Sequence, residues 1–148
     1  NLTGTGTVIS VTSLGVARAM MRKQKTIKNV VMNLRPRYLI VPAALETIAA
    51  QYVSANYVAN QSSTINPFAG AFEVISEARL DDNSATAWYL AADPSMIDTI
   101  EYCYLEGQNG VYIETRQGFD VDGMEIKARL DFAAKAIDYR GLYKNVGA

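Results

Sequence analysis

The sequence predicts an α+β fold in which an antiparallel or mixed sheet is flanked by two helices. Apolar residues recur at helical spacing twice before residue 56. From residue 71 onward they fall in short alternating runs separated by turn residues. Helical patterns come first and strand patterns follow, the order of an α+β chain rather than of repeated βαβ units. With 148 residues, 49% of them apolar, the chain is long enough for a core of its own. No apolar run approaches the roughly 18–20 residues that cross a bilayer. The chain starts at Asn1 and is expected to be a piece of a longer polypeptide.

The elements follow in order. Residues 2–9 are rich in Gly and Thr and are expected to be a loop or short strand. Gly4-Thr5-Gly6 has no strand before it and no third glycine at the spacing of a dinucleotide loop. Thr12 or Ser13 can cap a helix running to about Gln24, with Leu14, Ala17, Met20 and Met21 on one face. Residues 37–41 (RYLIV) form a short buried strand, and Pro42 suits a first helical turn. Leu45, Ile48, Ala49, Tyr52 and Val53 mark the second helix, which fades near Asn56. Residues 54–70 are a long polar loop ending in Asn66-Pro67-Phe68-Ala69-Gly70, expected either at a contact between copies or disordered.

Strands follow at 72–80, at 87–92 (stopped by Asp93-Pro94) and at 100–105. Residues 106–110, with two glycines, are expected to reverse the chain into a strand at 111–115. Asp122-Gly123 is a two-residue hairpin signal, because Asp and Gly tolerate the positive φ that such a turn needs. Behind it Met124, Ile126, Ala128, Leu130 and Phe132 alternate with Glu125, Lys127, Arg129 and Asp131. That pattern predicts one strand with a dry face and a charged face.

Composition narrows the function. Histidine is absent, which removes Ser-His-Asp and Cys-His machinery and most zinc sites. Cys103 is the only cysteine; it has no base nearby in sequence and is expected to be a packed thiol. Asp81-Asp82 read as a solvated turn rather than a catalytic pair. Asp120-x-Asp122-Gly123 lacks the later ligands of a calcium loop. No catalytic, cofactor-binding or metal-binding residue is expected.

The net charge is −1, yet residues 1–45 carry seven basic residues and no acid, and the remaining seven basics share residues 46–148 with all fifteen acids. Three readings are open: a solvated basic helix face, contact with nucleic acid, or head-to-tail association of a basic edge with an acidic one. Tyr102, Tyr104, Tyr112, Tyr139 and Tyr143 near Arg116, Arg129 and Arg140 suit a protein interface better than a nucleic-acid groove, since acids are interleaved among them.

An ordered set of motifs adds to this. An Arg-rich helix leads into Leu34-Arg35-Pro36-Arg37-Tyr38-Leu39-Ile40-Val41-Pro42. Residues 66–70 (NPFAG) and 88–94 (WYLAADP) follow, then Ile100-Glu101 and Leu105-Glu106-Gly107. The chain closes on the stretch from Phe119 to Asn145, which contains Asp138-Tyr139-Arg140-Gly141-Leu142-Tyr143. This order resembles the C-terminal half of the Mu-like major head subunit family of tailed-phage capsid proteins. The resemblance implies a Hong Kong 97-like fold, with residues 1–118 mainly an axial-type domain and the hairpin and tail of residues 119–148 returning to a peripheral-type domain.

The resemblance also implies a structural subunit rather than an enzyme. Copies would join as pentamers and hexamers into a shell that encloses DNA without reading its sequence, with scaffold, head protease and portal proteins as further partners and no membrane. The protein would reside in the virion capsid, and in the host cytoplasm during assembly. Shell assembly favours the head-to-tail reading of the charge. Candidate contact residues are Arg18, Arg22 and Lys23 on the basic helix and Asn66 and Phe68 in the long loop. Toward the end of the chain they are Arg129, Tyr139, Arg140, Tyr143 and Lys144. The runner-up is a basic-faced nucleic-acid-binding accessory protein, motivated by the basic first third.

Overall fold

The computed structural model describes residues 6–55, 66–118 and 122–148. The chain divides into two compact units, Asn1–Thr99 with Asp138–Ala148, and Ile100–Ile137. The division does not fall at residue 118, because strand pairing ties each side of that boundary to the other, as follows.

The first unit opens with helix α1 (Val11–Arg22). Its cap is Ser10, two or three residues earlier than the spacing of Thr12 and Ser13 predicts. The Ser10 hydroxyl accepts from the Ser13 N–H, and the Ser13 hydroxyl accepts from the Ser10 N–H, a reciprocal box that satisfies two otherwise orphaned donors. Leu14, Ala17 and Met21 are buried; Met20 faces outward, one position off their stripe.

Strand β1 (Pro36–Val41) leads through a single 3-10 turn (Ala43–Leu45) into helix α2 (Glu46–Val53). Strand β2 (Glu73–Ser76) is followed by a second 3-10 turn (Ala78–Leu80), so the strand expected over 72–80 stops halfway. Strands β3 (Trp88–Ala92) and β8 (Leu142–Asn145) complete a sheet ordered β2-β1-β3-β8. The β1/β2 pair is parallel and the others antiparallel.

Register sets the faces. Leu39 sits opposite Leu90, and Leu90 opposite Tyr143, giving one dry row across three strands. That row, with Val41 and Trp88, packs with Leu14, Ala17 and Met21 of α1, Ala49 of α2, and Phe68 and Phe72. Burying a large apolar side chain of this kind contributes roughly 1.5–3 kcal/mol. The chain ends are pinned to this core. The Trp88 indole donates to the Thr7 carbonyl at 3.0 Å. Asn145, 1% exposed, accepts from the N–H groups of Thr7 and Gly147 and donates to the Thr7 hydroxyl. Gly147, at φ 74°, lies so close to Thr86 that a Cβ would stand 2.1 Å from its carbonyl oxygen.

The second unit is built from β4 (Ile100–Tyr104), β5 (Tyr112–Gln117), β6 (Met124–Arg129) and β7 (Phe132–Ala136). β4 pairs with β7 and β5 with β6, both antiparallel. The reversal expected at 106–110 is therefore corrected. Leu105 and Gln108 close a turn there, and Gly107 and Gly110 take positive φ, yet β4 and β5 share no ladder. Residues 124–132 are two strands, broken at Leu130 and Asp131, rather than one. The hairpin between β5 and β6 is also longer than two residues. Its ladder closes at Gln117 and Met124, the Gly118 N–H donates to the Gly123 carbonyl, and Gly123 is not in the left-handed region. Asp120, at the head of the discarded calcium pattern, lies outside the described residues.

Candidate assembly surfaces

In the second unit every strand residue is exposed. Pairing across β5 and β6 sorts its side chains by chemistry. Glu114 opposes Lys127 and Arg116 opposes Glu125, and both pairs form ion bridges on one face. Hydrogen bonding from Lys127 holds the Glu114 carboxyl below its usual range. The other face carries Ile113 with Ala128, Thr115 with Ile126, and Gln117 with Met124. Ile126 is 69% exposed and Met124 67%, so among the described residues of this unit nothing covers the face predicted to be dry.

On β4 and β7, Tyr102, Tyr104 and Phe132 stack among themselves with ring centres 5.5–6.1 Å apart. Cys103 lies on the opposite face of β4 and is exposed, not packed, because among the described residues of this unit no second layer covers the two-stranded ladder.

In the first unit the helices cover one face of the sheet. The other face presents the row Ile75, Ile40, Tyr89 and Lys144, one residue from each strand. An apolar groove of about 340 Å³ lies along it, with Leu80, Leu142 and Tyr139 among its walls. Lys144 places its ammonium 5.7 Å from the Tyr89 ring centre.

Charge is divided between the two ends of β1. Before it, residues 22–35 contain Arg22, Lys23, Lys25, Lys28 and Arg35 and no acid. Within this stretch a small hairpin forms: Lys25 bridges Val31, the Met32 N–H donates to the Gln24 carbonyl, and the Thr26 N–H donates to the Val30 carbonyl. Asn29 turns its tip at φ 62°, a conformation Asn tolerates. Ile27 stands at that tip 95% exposed, beside exposed Val30 and Val31.

Toward the other end of β1, residues 76–82 hold three carboxylates, Glu77, Asp81 and Asp82, against Arg79, whereas Glu73 pairs beside Tyr38 near the strand's start. Asp81 accepts from the N–H groups of Ala43 and Ala44, so the polar turn doubles as a cap for the 3-10 turn after β1. Glu77 is drawn down to about 2 chiefly by the Arg79 side chain. Asp93, near the start of β1, is drawn down to about 2 first by the Ser95 backbone N–H and then by Arg37, which bridges it at 2.6 Å.

The residues singled out from sequence divide into two groups. Phe68 and Tyr143 are core: Phe68 stacks on Phe72 at 5.5 Å, and Tyr143 lies 5.7 Å from Trp88. Neither is on a surface, because the period that places them inward is set by the sheet and loop, not by their chemistry. Asn66 closes the base of the long loop, donating to the carbonyls of Tyr52 and Ser54 and accepting from the Phe68 N–H. Arg18 lies over the Phe68 ring at 4.7 Å, and Arg140 clamps Asp138 through three hydrogen bonds.

On the surface are Arg22, donating to Asn33, Lys23, and Tyr139. Arg129 is exposed too, over the Tyr112 ring and bonded to Gln108. Sequence reasoning passed over Ile27 and its neighbours, because residues 25–31 (KTIKNVV) carry neither strand alternation nor a glycine or proline turn signal; Asn29, able to take positive φ, was the one cue.

Among the described residues no helix is long and apolar enough to cross a membrane, and no three carboxylate or thiol side chains cluster as metal ligands do. No curated protein and no solved structure gives a significant match. The model of the family described as phage capsid protein matches residues 1–145, nearly the whole chain, and the chain belongs to that family.

Proposed function

We propose that this capsid protein is a self-assembling major head subunit of the Hong Kong 97 type, and that its second unit is an arm for contacts between copies. The supporting observation is the uncovered apolar surface of Ile100–Ile137. Ile100, Tyr102, Tyr104, Ile113, Met124, Ile126 and Phe132 are each 40–69% exposed. They lie on two ladders, Ile100, Tyr102, Tyr104 and Phe132 on β4/β7 and Ile113, Met124 and Ile126 on β5/β6, and large apolar residues left bare in this way mark contact surfaces. On β5/β6 the cross-strand ion pairs fix the opposite face as a solvated one, so the face of Ile113, Ile126 and Met124 is the one with something to gain from a neighbour.

In this reading pentamers and hexamers of the chain close a shell around DNA, helped by scaffold, head protease and portal proteins. Assembly takes place in the host cytoplasm. Each contact raises the effective concentration for the next, so weak repeated contacts sum to a stable container. The Asn1–Thr99 body serves as the axial-type block, with the chain end from Asp138 packed into it. The test is electron microscopy of the complete polypeptide expressed with its companion proteins. Uniform closed shells support the reading, and persistent monomers overturn it.

The basic first third favours one second reading, a nucleic-acid-binding accessory role. Of its seven basic side chains only Arg37 has an ion pair among the described residues. Salt-dependent DNA binding that falls when Arg18, Arg22 and Lys23 are neutralised would support it.

A further inference from the structure

The hairpin of residues 24–32 and the groove beside Leu80 have matching chemistry at the two ends of one strand. Resting on the capsid reading above, we infer that copies of this chain join head to tail, with the Ile27-tipped basic hairpin of one copy seated in the Leu80–Tyr89 groove of the next.

The hairpin is a poor nucleic-acid element despite its lysines. Protein–DNA interfaces are polar and strongly positive, whereas this tip projects Ile27, Val30 and Val31. An isoleucine left 95% exposed on a hydrogen-bonded turn gains by entering an apolar site on another protein. Its flanking Lys25 and Lys28 require that the site have an acidic rim.

The groove meets both conditions. Its lining includes Ile40, Leu80 and Tyr89, and about 340 Å³ accommodates more than one aliphatic side chain. Leu80 is followed directly by Asp81, which caps the turn after β1, and by Asp82, and Glu77 precedes it, paired with Arg79. Asp82 is exposed, and among the described residues no ion pair engages it. Lys144 and Arg79 are the opposing charges at this end, outnumbered by the carboxylates.

The geometry makes the contact directional. The hairpin leads through buried Leu34 into the start of β1, whereas the groove takes Ile40 from near its end and the Asp81 cap lies just past it. The strand between spans about 20 Å. A copy cannot bring both halves together within itself along that rigid strand, so each copy offers a knob at one end and a socket at the other. Such a heterologous contact builds rings, the form a capsomer needs.

The experiment uses the complete polypeptide with three variants at exposed positions: Ile27→Asp, Lys25→Glu with Lys28→Glu, and Asp82→Lys. Thermal melting checks that each stays folded. By sedimentation each variant should lose ring-sized oligomers, with the self-association constant weakened by about 100-fold or more where like charges meet. Added salt should weaken the wild type in the same direction. Mixing the Lys25→Glu/Lys28→Glu chain with the Asp82→Lys chain should restore ring-sized oligomers that neither forms alone, because the reversed knob meets the reversed socket while the native knob meets the native socket.

Wild-type shells together with unimpaired shells from all three variants would overturn the inference and leave the capsid reading standing. So would variants that build normal shells but retain less DNA, since the hairpin would then face nucleic acid. A wild-type polypeptide that never self-associates would overturn both.

Discussion

The body sheet and the Ile100–Ile137 unit are written in the same alternating code and end in opposite states. In β3 and β8 the inward members, Trp88, Leu90 and Tyr143, are sealed under two helices. In β5 and β6 the equivalent members, Ile113, Ile126 and Met124, are open to solvent. Alternation declares which residues share a face; it does not say what covers that face. Coverage in the body comes from elements far away in sequence, and in the second unit no element of that unit provides it. An apolar face without a layer above it is what the assembly reading proposes a second copy to cover.

The sharpest way to break the comparison is a matched pair of truncations. Trp88→Ala should destabilise the chain by about 3–5 kcal/mol in chemical denaturation, through lost burial and the cavity left behind. Ile126→Ser, on the open face, should change stability by no more than about 0.5 kcal/mol while reducing assembly. If both variants unfold the chain equally, the second unit is covered after all and the contrast fails. Next in size is Asn145→Ala, which leaves the Thr7 and Gly147 donors without their buried acceptor and should cost about 1–3 kcal/mol. Ser10→Ala removes the acceptor for the Ser13 N–H and should cost about 1 kcal/mol, seen as a lower melting temperature.

The smallest effect is acid sensitivity. Asp93 and Glu77 are held at about 2 in the folded chain, below the ordinary range near 4 that they regain on unfolding. The stabilisation is complete above about pH 4. It fades as pH falls toward 2, because the unfolded chain takes up those protons first. Both carboxylates are partly exposed, so the slope should be shallow and reduced by salt. Asp93→Asn should flatten it in a denaturation series from pH 5 to 2.

Much of the body was legible in the chain itself. Leu14, Ala17 and Met21 at helical spacing, Leu39 and Val41 on one strand, and Pro42 ahead of a helical turn all occupy the predicted environments. Local chemistry misled where two solutions are locally equivalent. Ser10 and Thr12 are both able caps, and the choice went to the one whose box with Ser13 closes. Asp122-Gly123 suits a tight turn, yet the β5/β6 register spreads the reversal over six residues. Phe68 sits in a polar loop and nonetheless fills the core, because Asn66 folds that loop back onto α2.

What the amino-acid order determined alone was periodicity, and with it the helices, the strand segments and the two-faced character of β6. It also set the basic first third against an acidic remainder. Only the tertiary structure decided partnership: that β4 seeks β7 across the intervening hairpin, that β8 returns to β3, and that opposite charges come to lie at the two ends of β1. The reason is physical. Side-chain alternation is dictated within a few residues by backbone geometry, whereas pairing and burial depend on which distant segments win the same hydrogen bonds and the same apolar surface.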